Sequence, residues 1–401
     1  MAAPKLRFKE FDGDWSLSSL SKISSIITGN TPSTSNREYY DGEFLFVSPA
    51  DIQENRYIEK TKTTLTANGF SKCRHIPENS VLFVCIGSTI GKVAQNKVIC
   101  ATNQQINAVI PQKGYSSDFL YLQLERLAPN IKLNAGVQAV PLINKTEFGK
   151  TLLNTPVYIE QTKIASFLSA VDEKISQLTQ KHELLSQYKQ GMMQKLFSQE
   201  IRFKADDGSE FGAWKHCKLK DVLISYRLGG NYSNAEMVTS YPLIKMGNLG
   251  RGSINLDKIE YIPEDQIIDP EDLIKKNDLF FNTRNTLDLV GKVALWRGEL
   301  PIAYYNSNLL RLDFENNIFM NYLFNEQKTL EKLKAIASGT TSVAAIYTKD
   351  LLKINLEIPC LEEQNKIASF LSSIDQKIEV VAQQIEQAKT WKKGLLQQMF
   401  V

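Results

Sequence analysis

Residues 86–94 read IGSTIGKVA, the first pattern in this chain whose residue types could do chemistry. A phosphate-binding loop places four residues between two glycines and follows them with Lys and Ser or Thr. Its backbone N–H groups then wrap the phosphates while the hydroxyl holds Mg2+. Here three residues separate Gly87 from Gly91, and Val93 stands where the hydroxyl belongs. The tetrapeptide GKVA returns at 291–294 behind LDLV, with the first glycine gone. A duplicate that keeps Gly-Lys-Val and loses the cradle reads as a turn entering a strand, with Lys92 and Lys292 near the surface. The chain shows no complete Walker A motif, no Asn/Asp-Pro-Pro-aromatic methylation motif and no convincing nuclease motif. His75, His182 and His216 are too dispersed for a metal cluster. The five cysteines (Cys73, Cys85, Cys100, Cys217, Cys360) form no C-x-x-C pair, which favours reduced thiols over disulfides or zinc. The expectation is a protein with no catalytic residue, no metal and no cofactor of its own.

Any chemistry would then come from partners, and the residues that would touch DNA, were it a partner, can be named by type. Base edges in DNA are matched by Arg or Lys on guanine, Asn or Gln on adenine, and Ser or Thr on either, while Lys, Arg and hydroxyls meet phosphates. Residues 1–155 hold four polar clusters of that kind. They are Asn30, Thr31 and Ser33 in 29–35; Ser88, Thr89 and Lys92 in 88–92; Asn103, Gln104 and Gln105; and Gln138 in 134–138. Residues 211–358 hold four more. They are Asn231 and Ser233 in 229–234; Arg284, Asn285 and Thr286, followed by Lys292; Asn306 and Asn308; and Thr340 and Thr341 in 339–342. Arg284 and Gln138 are the preferred base readers, and Lys92 and Lys292 the preferred phosphate contacts. A net charge of +3 permits a nucleic-acid partner without demanding one. Residues 1–155 carry about +4 and residues 211–358 about zero, so any DNA-binding surface is confined to loops.

The elements that would position these loops are written twice. EQTKIASFLSAVDEKI, from residue 160, returns as EQNKIASFLSSIDQKI from residue 363. At the same offset Pro156 matches Pro359, Gly136 matches Gly339, Asn103 matches Asn306 and Gly191 matches Gly394. A repeat of half the chain is a duplicated domain with its connector, not a solenoid. The globular parts, 1–155 and 211–358, read as mixed α/β. Short apolar runs such as SVLFVCIG and NDLFFNTR alternate with Gly, Asn, Pro and Ser turns, and each globule holds one late helix, SDFLYLQLERLA or MNYLFNEQKTLEKLKAIA.

The connectors differ from the globules. Over 162–197 apolar residues fall at Ile164, Leu168, Val171, Ile175, Leu178, Leu185, Met192 and Leu196. Over 365–400 they fall at Ile367, Leu371, Ile374, Ile378, Val381, Ile385, Ala388, Leu395 and Met399. Alternating steps of four and three are the heptad signature of paired helices. His182 and Lys189 interrupt the first seam; Ile385 and Lys392 hold the matching places in the second. Each stripe needs a partner in water, and the other copy is the expected one. Tyr188 and Trp391 are expected to seal one end of the seam. Two globules on such antiparallel helices could reach major grooves about a turn of DNA apart, roughly 34–36 Å.

The doubled helical blocks, with the opening LRFKEFDGDW, the TGNTPS at 28–33 and the GSTIGKV hairpin, resemble the specificity (S) subunits of type I restriction–modification enzymes. The resemblance spans essentially the whole chain and is tightest in the helices. It implies an α+β protein in which two target-recognition domains (1–155 and 211–358) are separated by a central helical spacer (156–198), a linker (199–210) and a C-terminal helical spacer (359–401), related by a pseudo-twofold repeat. Each domain would read half of a bipartite, asymmetric site in double-stranded DNA. The helices would set the gap and dock two methylation subunits, with restriction subunits joining the full complex. S-adenosylmethionine, ATP and Mg2+ would be used by those partners, and the complex would work on DNA in a prokaryotic cytoplasm. The N-terminus has no apolar stretch of the secretory kind, and no run reaches the roughly 18–20 apolar residues of a membrane span. A coiled-coil adaptor whose globules bind proteins fits the duplication equally well. A free-standing NTPase rests on the defective loop alone.

Overall fold

The structure, a computed structural model, describes residues 3–53, 55–133, 135 and 141–401. The chain divides into two compact units, Met1–Lys181 with Val381–Val401, and His182–Val380. The heptad blocks form two helices, Tyr158–Phe197 and Leu361–Met399, of 40 and 39 residues. Each starts one turn earlier than its periodicity predicts. The repeated Glu-Gln explains the extra turn. Gln161 and Gln364 donate through Nε2 to the carbonyls of Pro156 and Pro359, at 2.8 and 3.0 Å, and so tie down the chain just before each helix.

Each unit holds part of both helices. In the first, Ile164, Leu168 and Val171 share a core with Leu395, Leu396, Met399 and Phe400; in the second, Leu196 and Phe197 share one with Ile367, Leu371 and Ile374. The two helices therefore run antiparallel within each unit. The stripes bury more than each other, because the same cores contain Phe83, Phe119 and Phe148 of the first globule and Phe281, Phe319 and Phe324 of the second. Leu185, Met192 and Ile385 remain half-buried. Tyr188 and Trp391 do not seal the seam: they are 51% and 54% exposed, and the Trp391 ring meets the Phe167 ring edge-on, at 6.2 Å. Their ring positions fall outside the buried stripe, which the heptad count alone does not reveal.

The first globule is built on a five-stranded sheet in the order Ser24–Thr28, Ile106–Pro111, Val81–Val84, Val93–Asn96, Tyr57–Ile58. The second repeats it with four strands, Leu223–Leu228, Leu309–Phe314, Leu279–Asn282, Val293–Leu295, in the same order. The central strands are covered on both faces, which is why they read as unbroken apolar runs. In Val81–Val84, Val81 and Phe83 face the helix side while Leu82 and Val84 face a second cluster with Val47 and Ile52. Residues 117–128 are helical as predicted, within Ser117–Leu133. The corresponding run of the second globule is not one helix but two, Asn317–Phe324 and Gln327–Ile336. Asn325 turns its amide back onto the carbonyls of Asn321 and Val293, at 2.8 and 3.1 Å. Glu326 then caps the next helix by accepting from the N–H groups of Lys328 and Thr329.

One arginine closes each unit. Arg7 grips the buried Glu160 through Nε and Nη2, both at 2.7 Å, and gives a further bond to the carbonyl of Gly13. Arg202 does the same to Glu363, at 3.0 and 2.7 Å, and to Gly212. Residues 199–210 are thus anchored through Arg202, in the way that the N-terminal segment is anchored through Arg7.

Candidate nucleic-acid interface

In both globules the polar clusters that lie within the described residues converge on one end of the central sheet. Gly29 follows the strand Ser24–Thr28 and donates from its N–H to Ile106 O; Gly229 follows the matching strand and donates to Leu309 O. Neither can carry a side chain. A Cβ on Gly29 would lie 2.2 Å from Thr102 O, and one on Gly229 would lie 2.3 Å from Tyr305 O. These close approaches bring 29–31 against 102–105, and 229–230 against 305–308. Thr31 Oγ1 donates to Gln104 Oε1 at 2.7 Å, and Ser307 N donates to Gly230 O at 2.9 Å.

The Gly-Lys-Val repeats form the next wall. Val84 N bonds Lys92 O and Gly91 N bonds Val84 O; in the second globule Asn282 N bonds Lys292 O and Gly291 N bonds Asn282 O. Both are β-hairpin ends between antiparallel strands, with Gly91 and Gly291 at φ of +94° and +73°. Glycine takes a positive φ at the least steric cost, which accounts for its presence in both copies. A phosphate-binding loop would lead from a strand into a helix, and neither hairpin does so.

A returning segment lies beside each hairpin. Gly87 N donates to Pro141 O, and Ile143 N donates to Cys85 O. In the second globule Arg284 and Asn285 pair with Ala345 and Ala344, and Leu287 N donates to Thr341 O. Each globule therefore presents four loop segments side by side, drawn from sequence positions more than a hundred residues apart.

Within this arrangement the candidates take different parts. Asn30 is engaged at both ends of its amide, by Lys72 O and by Arg74 N. Asn103 and Gln105 bond each other at 2.9 Å, Asn306 is buried and receives Asn308 N, and Asn285 receives its neighbour Thr286 N. These side chains shape loops. Lys92 turns its Nζ onto Ile52 O at 2.8 Å, and Ser233 bonds Gln266. Ser33 pairs with Ser35, and Thr340 pairs with Ser342. Ser88, Gln104, Asn231, Arg284 and Thr341 are exposed, and Thr89, Lys292 and Asn308 are half-exposed. Arg284 is exposed at the rim of the loops and, among the described residues, makes no ion pair. Gln138 lies outside the described residues.

Three residues of these rims were not singled out from the sequence. Arg74 donates to Thr28 O at 2.6 Å, and Arg251 donates to Asp288 O at 3.1 Å. Tyr232 is fixed by donating to the buried Asp272, at 2.6 Å, and burial together with that bond pushes its phenol up to about 12. Arg74 and Arg251 stand outside the candidate clusters, and Tyr232 sits inside 229–234 as an aromatic among the polar residues singled out there.

The model of the type I restriction modification DNA specificity domain matches residues 12–187 and again residues 212–390. The chain belongs to this family. It carries the DNA specificity domain twice, one copy in each half. It is 25% identical over 411 residues to the type I restriction enzyme MjaVIII specificity subunit of Methanocaldococcus jannaschii, covering 97% of this chain and 94% of that one. The HindI specificity subunit of Haemophilus influenzae is 31% identical over 196 residues, 47% of this chain and 42% of that one. Among solved structures, the S subunit of a type I restriction–modification system from M. genitalium has the same fold, with a TM-score of 0.62 and 16% identity over 100% of this chain and 99% of that one. A chain from a type I system solved to explain complex assembly aligns over 97% and 98% of the two chains, with a TM-score of 0.52 and 17% identity.

The equivalent glycines give the specificity domains a direct test. Gly29→Ala and Gly229→Ala should each cost about 3 kcal/mol or more of local strain, since the new Cβ meets backbone atoms, and displace one set of loops. Each is expected to impair recognition through its own domain only. Binding to DNA sites altered in one half at a time checks this; equal damage to both halves would contradict it.

Proposed function

We propose that this chain is the non-catalytic, DNA-reading subunit of a type I restriction–modification complex. Each domain reads one half of a bipartite, asymmetric site in double-stranded DNA. The helices set the gap and dock two methylation subunits, and restriction subunits complete the assembly. S-adenosylmethionine, ATP and Mg2+ are used by those partners, in the cytoplasm of a prokaryote. Among the described residues no helix is long and apolar enough to cross a membrane, and no group of three or more His, Cys, Asp or Glu could hold a metal ion.

One observation carries the reading. The two specificity domains bring four loop segments together at equivalent places, yet fill them with different side chains, TNQQIN against YNSNLL for one pair. A shared framework with unlike polar contents suits two readers of two different sequences. Methylome sequencing of host DNA with and without this gene, with its methylation subunit present, tests it. Loss of adenine methylation at one split, asymmetric motif is the expected result. An unchanged methylome, with the complex assembled and active, would favour a protein–protein adaptor instead.

A further inference from the structure

Two lysines break the heptad seams at equivalent places, and both have an elaborate set of partners. In the unit His182–Val380, Lys189 of the first long helix reaches Asp375 of the second at 2.6 Å. The same carboxylate accepts from Arg297 of the globule at 2.8 Å and from the hydroxyl of Tyr322 at 2.7 Å. Lys189 also lies 5.4 Å from the centre of the Tyr322 ring. In the other unit the helices exchange roles. Lys392 of the second helix reaches Asp172 of the first at 2.9 Å and Glu125 of the globule at 2.9 Å. Arg56 of that globule lies 3.9 Å from Asp172 and donates to Ser169 on the same helix at 2.7 Å. Each cluster therefore ties three bodies together: first helix, second helix and globule.

The two lysines and the two helix carboxylates are largely withdrawn from water, while Arg297 and Glu125 lie nearer the surface. The side chains of Lys392 and Asp375 are 14% and 11% exposed. Burial works against the charge of Asp375, but Lys189, Tyr322 and Arg297 outweigh it and hold the carboxyl below its ordinary value. Burial works against Lys392 too, and Glu125 and Asp172 outweigh it. Buried ion pairs are weak sources of net stability, since apolar replacements often hold a fold equally well. Their attested use is to select one register. An apolar heptad seam is satisfied again after a slide of seven residues, roughly 10 Å of helix, whereas a lysine in the seam accepts only the register that offers its carboxylate.

Resting on the proposed reading of a bipartite DNA site, we infer that the Lys189–Asp375 and Lys392–Asp172 clusters are positioning devices that hold each reading domain at one place on the helix pair and so sharpen the gap length the complex accepts. They act through the domains and touch no base.

The test uses the complete chain assembled with its methylation subunits, on a library in which the two half-sites are separated by every gap from three below to three above the natural length. The variants are Lys189→Met with Asp375→Asn, and Lys392→Met; Lys189→Arg, which keeps the charge, is the conservative control. The wild type should methylate one gap length sharply. The double variant and Lys392→Met should lose about tenfold of that preference, near 1.4 kcal/mol, with the bases of both half-sites unchanged and Lys189→Arg close to wild type. Variant complexes that assemble and retain the sharp gap would overturn the inference. So would failure of both to assemble, which would assign the clusters to stability alone. A wild-type complex with no preferred gap would instead refute the underlying reading.

Discussion

Replacing Arg284 by Ala should weaken recognition of a single base position by about 1–3 kcal/mol, the scale of one bidentate arginine–guanine pair. The residue sits on the short edge strand Arg284–Asn285, whose backbone is held by pairing with Ala344–Ala345. Its side chain is exposed and makes no ion pair among the described residues, so no internal partner competes with an external one. The loss should appear as relaxed methylation at one position in one half-site. A simple phosphate contact would behave differently, weakening all sequences alike and lowering the salt slope by about one. If the variant retains both motif and affinity, Arg284 is not a reader, and Asn231 and Thr341 become the next residues to substitute.

Glu363→Ala should destabilise the unit His182–Val380 by about 3–5 kcal/mol, the usual cost of breaking a buried ion pair from one side. Glu363 is fully buried, with both oxygens engaged by Arg202 and one also receiving Trp214 Nε1 at 3.1 Å. The alanine leaves a guanidinium and an indole N–H without their acceptor. Glu363→Gln retains an acceptor oxygen and should cost clearly less. Urea titration followed by Trp fluorescence measures both. A loss below about 1 kcal/mol for the alanine would show that Arg202 finds water without penalty. The matching Glu160 lacks the third bond, since Trp15 Nε1 has no partner there, and Glu160→Ala should cost somewhat less.

The features legible in the sequence were those encoded locally. The long helices follow from steps of three and four that need no knowledge of their surroundings. The turn identity of Gly-Lys-Val follows from a duplicate without its first glycine. The convergence of the polar clusters was legible in part, because matching Asn and Gly positions in two copies imply a common framework. What each side chain does there was not, since Lys92 on Ile52 O and Asn30 on Lys72 O depend on partners 40 and 42 residues away. Lys189 and Lys392 looked like flaws in a seam because their carboxylates lie on the other helix and in the globules. The divided helix of the second globule was missed because Asn325 ends it through a side-chain bond that propensity does not record.

The discontinuous make-up of the first unit has a consequence for biosynthesis. The unit His182–Val380 is one continuous stretch, so a nascent chain can complete it as soon as that stretch has left the ribosome. The first unit cannot close until Val381–Val401 is made, because Leu395, Leu396, Met399 and Phe400 belong to its core. Domains usually mature in the order of translation; here the order is reversed, and the half made first is finished last. Throughout that interval the apolar face around Trp15, Phe119 and Leu168 waits for Phe400 and its neighbours, and it is there that a chaperone would find the growing polypeptide.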